Sequence, residues 1–364
     1  MNEQIRQLKT SPNGQLLAIV TSHTVHVAVL PDPSHLGQTN SEPIRLKTHT
    51  IGPTTHVLSQ PPVASVLWHP CGVAGSCLVT VTADAAVRVW ELDRTNRWSF
   101  DSPSLAIDLK KLSLASSQED DTTPYRIGRN RGFSTDDIGM DVASACFGGT
   151  GSSGESAWSA MTLWVAMKEG DIYALCPLLP SKWQPSPTLL PSLSTAIVSK
   201  ASYLAKEDSA AVGDTRQDDE QYRWIAEIDG QIPSLLPGPT EFSADSEFYS
   251  RPAHPGPTPA LQGPFQLLPG NMEEELELSD IHVIAAKVDA EELMVGEDLD
   301  SELDLIDDTG LSASVVCLMT RSGRVYLCLD LEGVEGQWLP RKRVSDLYFE
   351  PWATCLKIYI CTFS

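Results

Sequence analysis

Residues Val63–Leu92, VASVLWHPCGVAGSCLVTVTADAAVRVWEL, decide the fold. Val63 to His69 is an apolar run that stops at Pro70. Pro70-Cys71-Gly72 supplies a turn, because proline presets φ and glycine tolerates φ > 0. Cys77 to Thr82 alternates and is rich in β-branched residues. Ala83-Asp84-Ala85 turns the chain again, and Val87, Val89, Trp90 and Leu92 continue it. The pattern is three short antiparallel strands joined by two turns. Such a sheet cannot bury both faces by itself, so copies of it are expected elsewhere.

The copies are present. Residues 10–30, TSPNGQLLAIVTSHTVHVAVL, repeat the plan with a Ser-Pro-Asn-Gly turn and two apolar strands. Met161 to Leu175 and Val315 to Leu329 repeat it again around Gly170 and Gly323. The second strands of the four units begin near residues 25, 87, 172 and 325. Their spacing suits four-stranded blades of a β-propeller carrying long insertions. The ending RVWEL resembles that of a WD-type blade, with Glu91 in place of the usual Asp. The expected fold class is therefore all-β, a β-propeller, as a single domain over residues 1–364.

Composition limits the function. The net charge is −22 and the pI about 4.6, which argues against nucleic acid and anionic membrane as direct partners. The eight Cys form no CxxC pair, and most sit in apolar strands, where a thiol behaves as a small hydrophobe. The first residues, MNEQIRQLKTSPNG, lack the apolar core of a signal peptide, and no apolar run reaches membrane-spanning length. A reducing, soluble compartment is the expectation.

Between the units, Ile44 to Ile51 (IRLKTHTI) reads as an outer strand, and Trp98-Ser-Phe100 with Leu105 to Leu109 as a further one. Asp141 to Phe147 matches the first strand of the opening unit. Leu193 to Lys206 has a helical composition, and Tyr222 to Ile228 (YRWIAEI) reads as a short strand. Residues 233–270 hold nine of the 26 prolines and are expected to form an extended excursion rather than a packed element. Residues 289–308 carry ten Asp or Glu in twenty positions and read as a solvated acidic loop. After Arg341-Lys342-Arg343 the stretch DLYFEPWATCLKIYICTFS shows no clear closing strand, so an incomplete, apparently truncated propeller of about five to six blades is expected.

Motifs for chemistry are weak. Gly149-Thr-Gly-Ser-Ser-Gly154 matches GxGxxG, but a dinucleotide site needs a helix next, and MTLWVAM reads as a strand. Asp298, Asp300, Glu302 and Asp304 have Ca²⁺-loop spacing, yet Leu303 and Thr309 occupy the positions that need Gly and an acid. His69, Cys71 and Cys77 lack a fourth zinc ligand. No GxSxG or cysteine-nucleophile signature occurs. The chain therefore reads as a non-enzyme with no cofactor and no metal. Trp68, Trp90, Trp164 and Trp224 are expected in blade cores. Phe242, Phe248 and Tyr249 lie in the Pro-rich excursion and are the candidate partner-binding residues, since aromatics on an extended loop either fold back or anchor a partner. Phe265, next to Leu267 and Leu268, is the one expected to fold back.

Several stretches together resemble a known family: VASVLWHP, CLVTVTADAAVRVWEL, SFDSPSLAIDLKKL, LWVAMKEGDIYALCPLLPSKW and LQGPFQLLP. They are similar to the cytoplasmic-face nuclear-pore nucleoporins, the family of the 82-kDa fungal and 88-kDa animal proteins, over roughly residues 5–350. The run GDIYALCPLLPSKW followed by a Pro-rich insertion and QGPF is the most specific part. The resemblance implies a seven-bladed, non-catalytic N-terminal propeller. It also implies two partners, the autoproteolytic C-terminal domain of an FG nucleoporin and the helical tail of a second cytoplasmic-face nucleoporin, in support of mRNA export. A heptad region, which follows the propeller in that family, is not seen here. The rival readings are a WD-like interaction adaptor unrelated to the pore and an enzyme built from propeller loops; fold alone does not separate them.

Overall fold

The computed structural model describes residues 4–31, 44–117, 140–150, 157–204, 212–236, 246–265, 267–268, 277–287, 312–330, 333–339 and 358–363. Four blade-like sheets follow one another, antiparallel throughout except where Leu267–Leu268 pairs with Ile358–Phe363 in the fourth. The first holds β1 (Gln7–Thr10), β2 (Leu16–Val20), β3 (Val25–Val29) and β4 (Lys47–Ile51), in that order. The second holds β5 (Val63–Trp68), β6 (Cys77–Thr82), β7 (Ala86–Glu91) and β8 (Leu105–Asp108). In the third, β9 (Val142–Phe147), β10 (Leu163–Met167) and β11 (Ile172–Leu175) form the meander. A small ribbon follows, built from β12 (Lys182–Trp183), β13 (Ser234–Leu236) and β14 (Ser246–Ser250). The third blade is then completed by β15 (Leu261–Gln262), on the outer side of β11. The fourth sheet runs β16 (Leu267–Leu268), β20 (Ile358–Phe363), β19 (Val325–Asp330), β18 (Ser312–Thr320) and β17 (Leu278–Lys287).

Alternation explains why these residues form stacked blades. On β6, Cys77, Val79 and Val81 face the core shared with the third blade, while Leu78 faces the core shared with the first. On β10, Leu163, Val165 and Met167 face the second blade's side, and Trp164 and Ala166 the fourth's. Both faces of the second and third blades are apolar because each is sandwiched between neighbours, and successive side chains must point to opposite faces. The first strands lie side by side. The Trp68 indole N–H donates to the Lys9 carbonyl at 3.0 Å, linking β5 to β1. The Ala145 N–H donates to Ser65 Oγ at 2.9 Å, linking β9 to β5, and Ser144 Oγ donates to Asp280 at 2.5 Å, linking β9 to β17.

The second blade carries a buried polar relay that its sequence did not announce. Trp90 Nε1 donates to Thr80 Oγ1 at 3.0 Å, and His56 Nε2 lies 3.1 Å from the same hydroxyl. Thr80 is fully buried, so both partners are needed to satisfy it. Gly52 lets this closure happen: its φ is +54°, and a Cβ there would sit 2.7 Å from the Trp90 ring.

Several expectations are corrected. Trp98 to Asp101 is a helical turn, α1, not a strand. Past α2 (Leu109–Ser117) and the expected helix α3 (Leu189–Leu204) comes α4 (Val212–Asp229), which absorbs the YRWIAEI stretch read as a strand. Gln221, Trp224, Ile225 and Ile228 are buried at i, i+3, i+4 and i+7, a helical period. Trp224 is therefore a core residue of a helix rather than of a blade strand. The Pro-rich stretch is not a bare excursion: it supplies β13, β14 and β15 and buries Leu261 and Phe265. The C-terminal stretch does supply a strand, since β20 pairs with β19. The acidic stretch 289–308 lies outside the described residues.

Candidate partner-docking site

The run Cys176–Trp183 leaves the third blade and crosses to the second, where the blade's polar side chains hold it. Leu178 and Leu179 are buried, and Leu178 N–H donates to the Met161 carbonyl at 2.8 Å. His69 Nε2–H donates to the Leu178 carbonyl at 2.8 Å, while its Nδ1 accepts the Cys71 N–H at 3.0 Å. Both nitrogens are thereby committed, and the zinc reading of His69, Cys71 and Cys77 loses its imidazole. Arg251 Nη1 donates to the Leu179 carbonyl at 2.7 Å.

Glu91, the residue that departs from the WD ending, grips the same run. Ser181 donates its N–H to one carboxylate oxygen at 2.7 Å and its hydroxyl to the other at 2.6 Å; the Lys182 N–H adds a third bond at 3.3 Å. Burial pushes the Glu91 pKa up, but the Ser181, Ser104 and Lys182 hydrogen bonds outweigh it and hold the carboxyl below its ordinary value. Glu91→Ala is expected to cost about 2 kcal/mol in denaturant titration, since it strands these donors, and Glu91→Gln about half as much. Equal losses in the two variants would show that charge plays no part.

Helices α3 and α4 form an antiparallel pair packed on this base. Trp224 of α4 stands between Trp158, Trp183 and Trp338, with ring centroids 5.4, 6.5 and 5.9 Å away. A polar latch closes the other side. Lys200 Nζ lies 2.7 Å from Glu335 and 3.1 Å from buried Asp218. Burial pulls the Lys200 pKa down, and the Glu335 and Asp218 carboxylates raise it above its ordinary value. Gln221 Nε2–H donates to Glu335 at 3.1 Å and to the Gly336 carbonyl at 2.9 Å.

The β13–β14 hairpin is pinned to the end of α4. Gln231 exchanges two hydrogen bonds of 3.0 Å with the Ser250 backbone, and Glu227 accepts the Ala253 N–H at 2.6 Å. Of the three sequence candidates, Phe242 lies outside the described residues. Phe248 and Tyr249 sit on β14, half-buried, on opposite faces of the ribbon. Tyr249 packs 6.2 Å from Trp183 and donates its hydroxyl to Glu247 at 2.8 Å, so it is partly a core residue. Burial first, and Glu247 second, push its pKa up. Phe248 pairs across the ribbon with Ser234. Sequence reading missed Ile232, Leu235 and Tyr222, which are 95%, 60% and 50% exposed around this hairpin. The signal for two of them was an Ile and a Leu flanking Pro233 in a segment without a core of its own.

The site is a braced surface, and the buried thiols near it are poorly suited to nucleophilic chemistry. Burial raises the thiols of Cys77 and Cys176, and pushes that of Cys146 up to about 12, which keeps them protonated and poorly nucleophilic. After Gly149 and Thr150, the next described helix is the single 3₁₀ turn Ser159–Met161, and β10 follows it.

A family model, the Nucleoporin NUP82 beta-propeller, matches residues 1–358. Nucleoporin NUP82 of Chaetomium thermophilum is 47% identical over 353 residues, which is 96% of this chain and 40% of the relative. Nucleoporin nup82 of Schizosaccharomyces pombe is 23% identical over 307 residues, 75% of this chain and 34% of the relative. The chain thus spans two fifths or less of these relatives' length. Among solved structures, the Chaetomium thermophilum heterotrimeric Nup82 NTD–Nup159 TAIL–Nup145N APD complex matches with TM-score 0.80 and 43% identity. That match covers 100% of this chain and 64% of the solved one. The yeast Nup82–Nup159–Nup116 complex matches with TM-score 0.59 at 14% identity, covering 98% of this chain and 64% of that one, and shares the fold. The chain therefore belongs to the Nup82 nucleoporin family and carries its β-propeller.

Proposed function

We propose that this chain is a non-catalytic docking propeller at the cytoplasmic face of the nuclear pore. In this reading it holds the autoproteolytic domain of an FG nucleoporin and the helical tail of a second nucleoporin, and so supports mRNA export. The observation that carries the reading is similarity along the whole chain to a propeller solved together with a Nup159 TAIL and a Nup145N APD. The braced hairpin adds physical support: its apolar side chains are exposed, yet the tryptophan cluster and the Lys200 latch fix their backbone. Rigid presentation limits the entropy lost on binding.

The test is to mix the purified chain with each partner domain and measure mass by light scattering after size exclusion. One-to-one complexes are expected; absence of co-elution with both domains would refute the proposal. Phe248→Ala is expected to weaken at least one complex about tenfold or more, as truncation of an aromatic anchor does. Its melting temperature should stay within about 2 °C of the parent, because Phe248 is half-exposed. Unchanged affinity for both domains would remove the hairpin from the interface and leave the scaffold reading in place.

A further inference from the structure

The outer edge of the first blade gathers apolar and basic side chains on one exposed strand end. The sequence there alternates apolar and basic residues, Ile44-Arg45-Leu46-Lys47, in a chain of net charge −22. These residues, with Val29 and Arg94, line an open concavity of about 330 Å³. Ile44 is 52% exposed and Leu46 37%. On the neighbouring helical turn α1, Trp98 is 75% exposed, and Arg97 precedes it. His49 ties the two segments together, stacked on Phe100 with centroids 4.5 Å apart. Burial, then Lys47, then Arg97 lower the His49 pKa, so it adds no charge at neutral pH. Three cations, Arg45, Lys47 and Arg94, thus line the concavity, and Arg97 lies on the adjoining turn beside Trp98. Asp93 and Asp101 are the carboxylates on the same segments, and Asp93 is already engaged by the Thr95 N–H at 2.8 Å and its hydroxyl at 2.7 Å.

Among the described residues, no strand pairs with the outer side of β4. β4 is the outer strand of its sheet. α1 covers its C-terminal end, where Gly52 N–H donates to the Phe100 carbonyl at 2.7 Å. The N-terminal end, at the apolar–basic alternation, is the exposed part. An exposed edge offers main-chain donors and acceptors to an added strand.

We propose that this edge is a second docking site, distinct from the β13–β14 hairpin, for an extended acidic segment of a partner protein whose carboxylates alternate with apolar side chains. Such a segment would place its carboxylates against Arg45, Lys47 and Arg94 and its apolar groups against Ile44, Leu46 and Trp98. Charge complementarity chooses the partner: a carboxylate-rich strand finds here a cluster of cations on a chain whose net charge is −22. A polyphosphate backbone would meet the repulsion of the whole acidic molecule and has no use for the interleaved apolar groups.

Fluorescence anisotropy tests this on the intact chain. The probe is a labelled peptide of about ten residues in which Asp or Glu alternates with Leu or Val. Saturable binding in the micromolar range is expected at about 50 mM salt, with a loss of about fivefold or more at about 500 mM. Arg45→Glu combined with Arg94→Glu should weaken binding about tenfold or more, and Leu46→Asp should weaken it comparably. Circular dichroism melts check that these exposed substitutions leave the fold unchanged. No saturable binding, or a double variant within about twofold of the parent, overturns the proposal. Tighter binding of an oligouridylate of equal length than of the peptide also overturns it and assigns the edge to RNA.

Discussion

Trp224→Ala is expected to lower the unfolding free energy by about 4 kcal/mol, within the range of roughly 3–5 for truncating a buried tryptophan. Trp224 is 1% exposed and meets three other indoles. Trp158 precedes β10, Trp183 lies on β12 and Trp338 follows β19, so one side chain ties four parts of the chain together. Each aromatic pair adds about 0.5–1.5 kcal/mol beyond burial, and the cavity left by an indole cannot be refilled by rigid neighbours. Guanidinium titration measures the loss, and hydrogen exchange should show α3 and α4 losing protection before the blades. Tyr222→Ala, two residues away but half-exposed, is the control and should cost about 0.5 kcal/mol or less. Equal losses at the two positions would show that the tryptophan cluster does not anchor the helical pair.

The same helix shows where sequence reading fails. YRWIAEI, rich in aromatic and β-branched residues, reads as a short strand. The buried set is Gln221, Trp224, Ile225 and Ile228, and the face that decides the element includes a glutamine. Its amide is buried because Glu335 and Gly336, more than a hundred residues away, accept from it. Local pattern could not reveal that partner. By contrast, β5, β6, β7, β10 and β11 were legible because burial on both faces leaves a dense apolar record, and β2, β3, β18 and β19 because burial of one face leaves a clear alternation. The blade count was less legible. About five to six were expected, and the described residues form four blade-like sheets and a ribbon, partly because α3 and α4 take up chain that a repeat count assigns to strands.

The candidate site was legible in part. Phe248 and Tyr249 stood out as aromatics in a Pro-rich stretch, and both are on the ribbon beside the helical pair. What the sequence could not show is that β12, some sixty residues earlier, pairs with β14 and brings Trp183 opposite Tyr249. That pairing divides the two aromatics between core and surface. The grip of Glu91 on Ser181 and Lys182 was hidden for the same reason, being a contact across ninety residues.

Acid should weaken the propeller well above the range in which ordinary carboxylates titrate. Between pH 7 and pH 5 the chain is expected to lose about 4 kcal/mol, about 2 from each of two histidines. His56 and His69 are 1% and 0% exposed. Burial lowers each from 6.5 to about 4; Arg88 adds to the effect at His56, while the Leu178 carbonyl and Glu91 oppose it at His69. A folded pKa below the unfolded one means that the unfolded chain binds more protons between the two values. The stability is therefore full above pH 6.5 and drains away as the pH falls toward 4. At His69 the cost has a visible origin: protonating Nδ1 turns the acceptor of the Cys71 N–H into a donor facing a donor. Urea midpoints measured at intervals from pH 7 to pH 5 read the slope. His69→Gln should flatten about half of it, whatever that substitution does to stability at neutral pH. A midpoint that is constant across this window would mean that neither imidazole is held neutral by the fold. The slope found would instead have to appear below pH 5, where carboxylates such as Glu91 give up their hydrogen bonds.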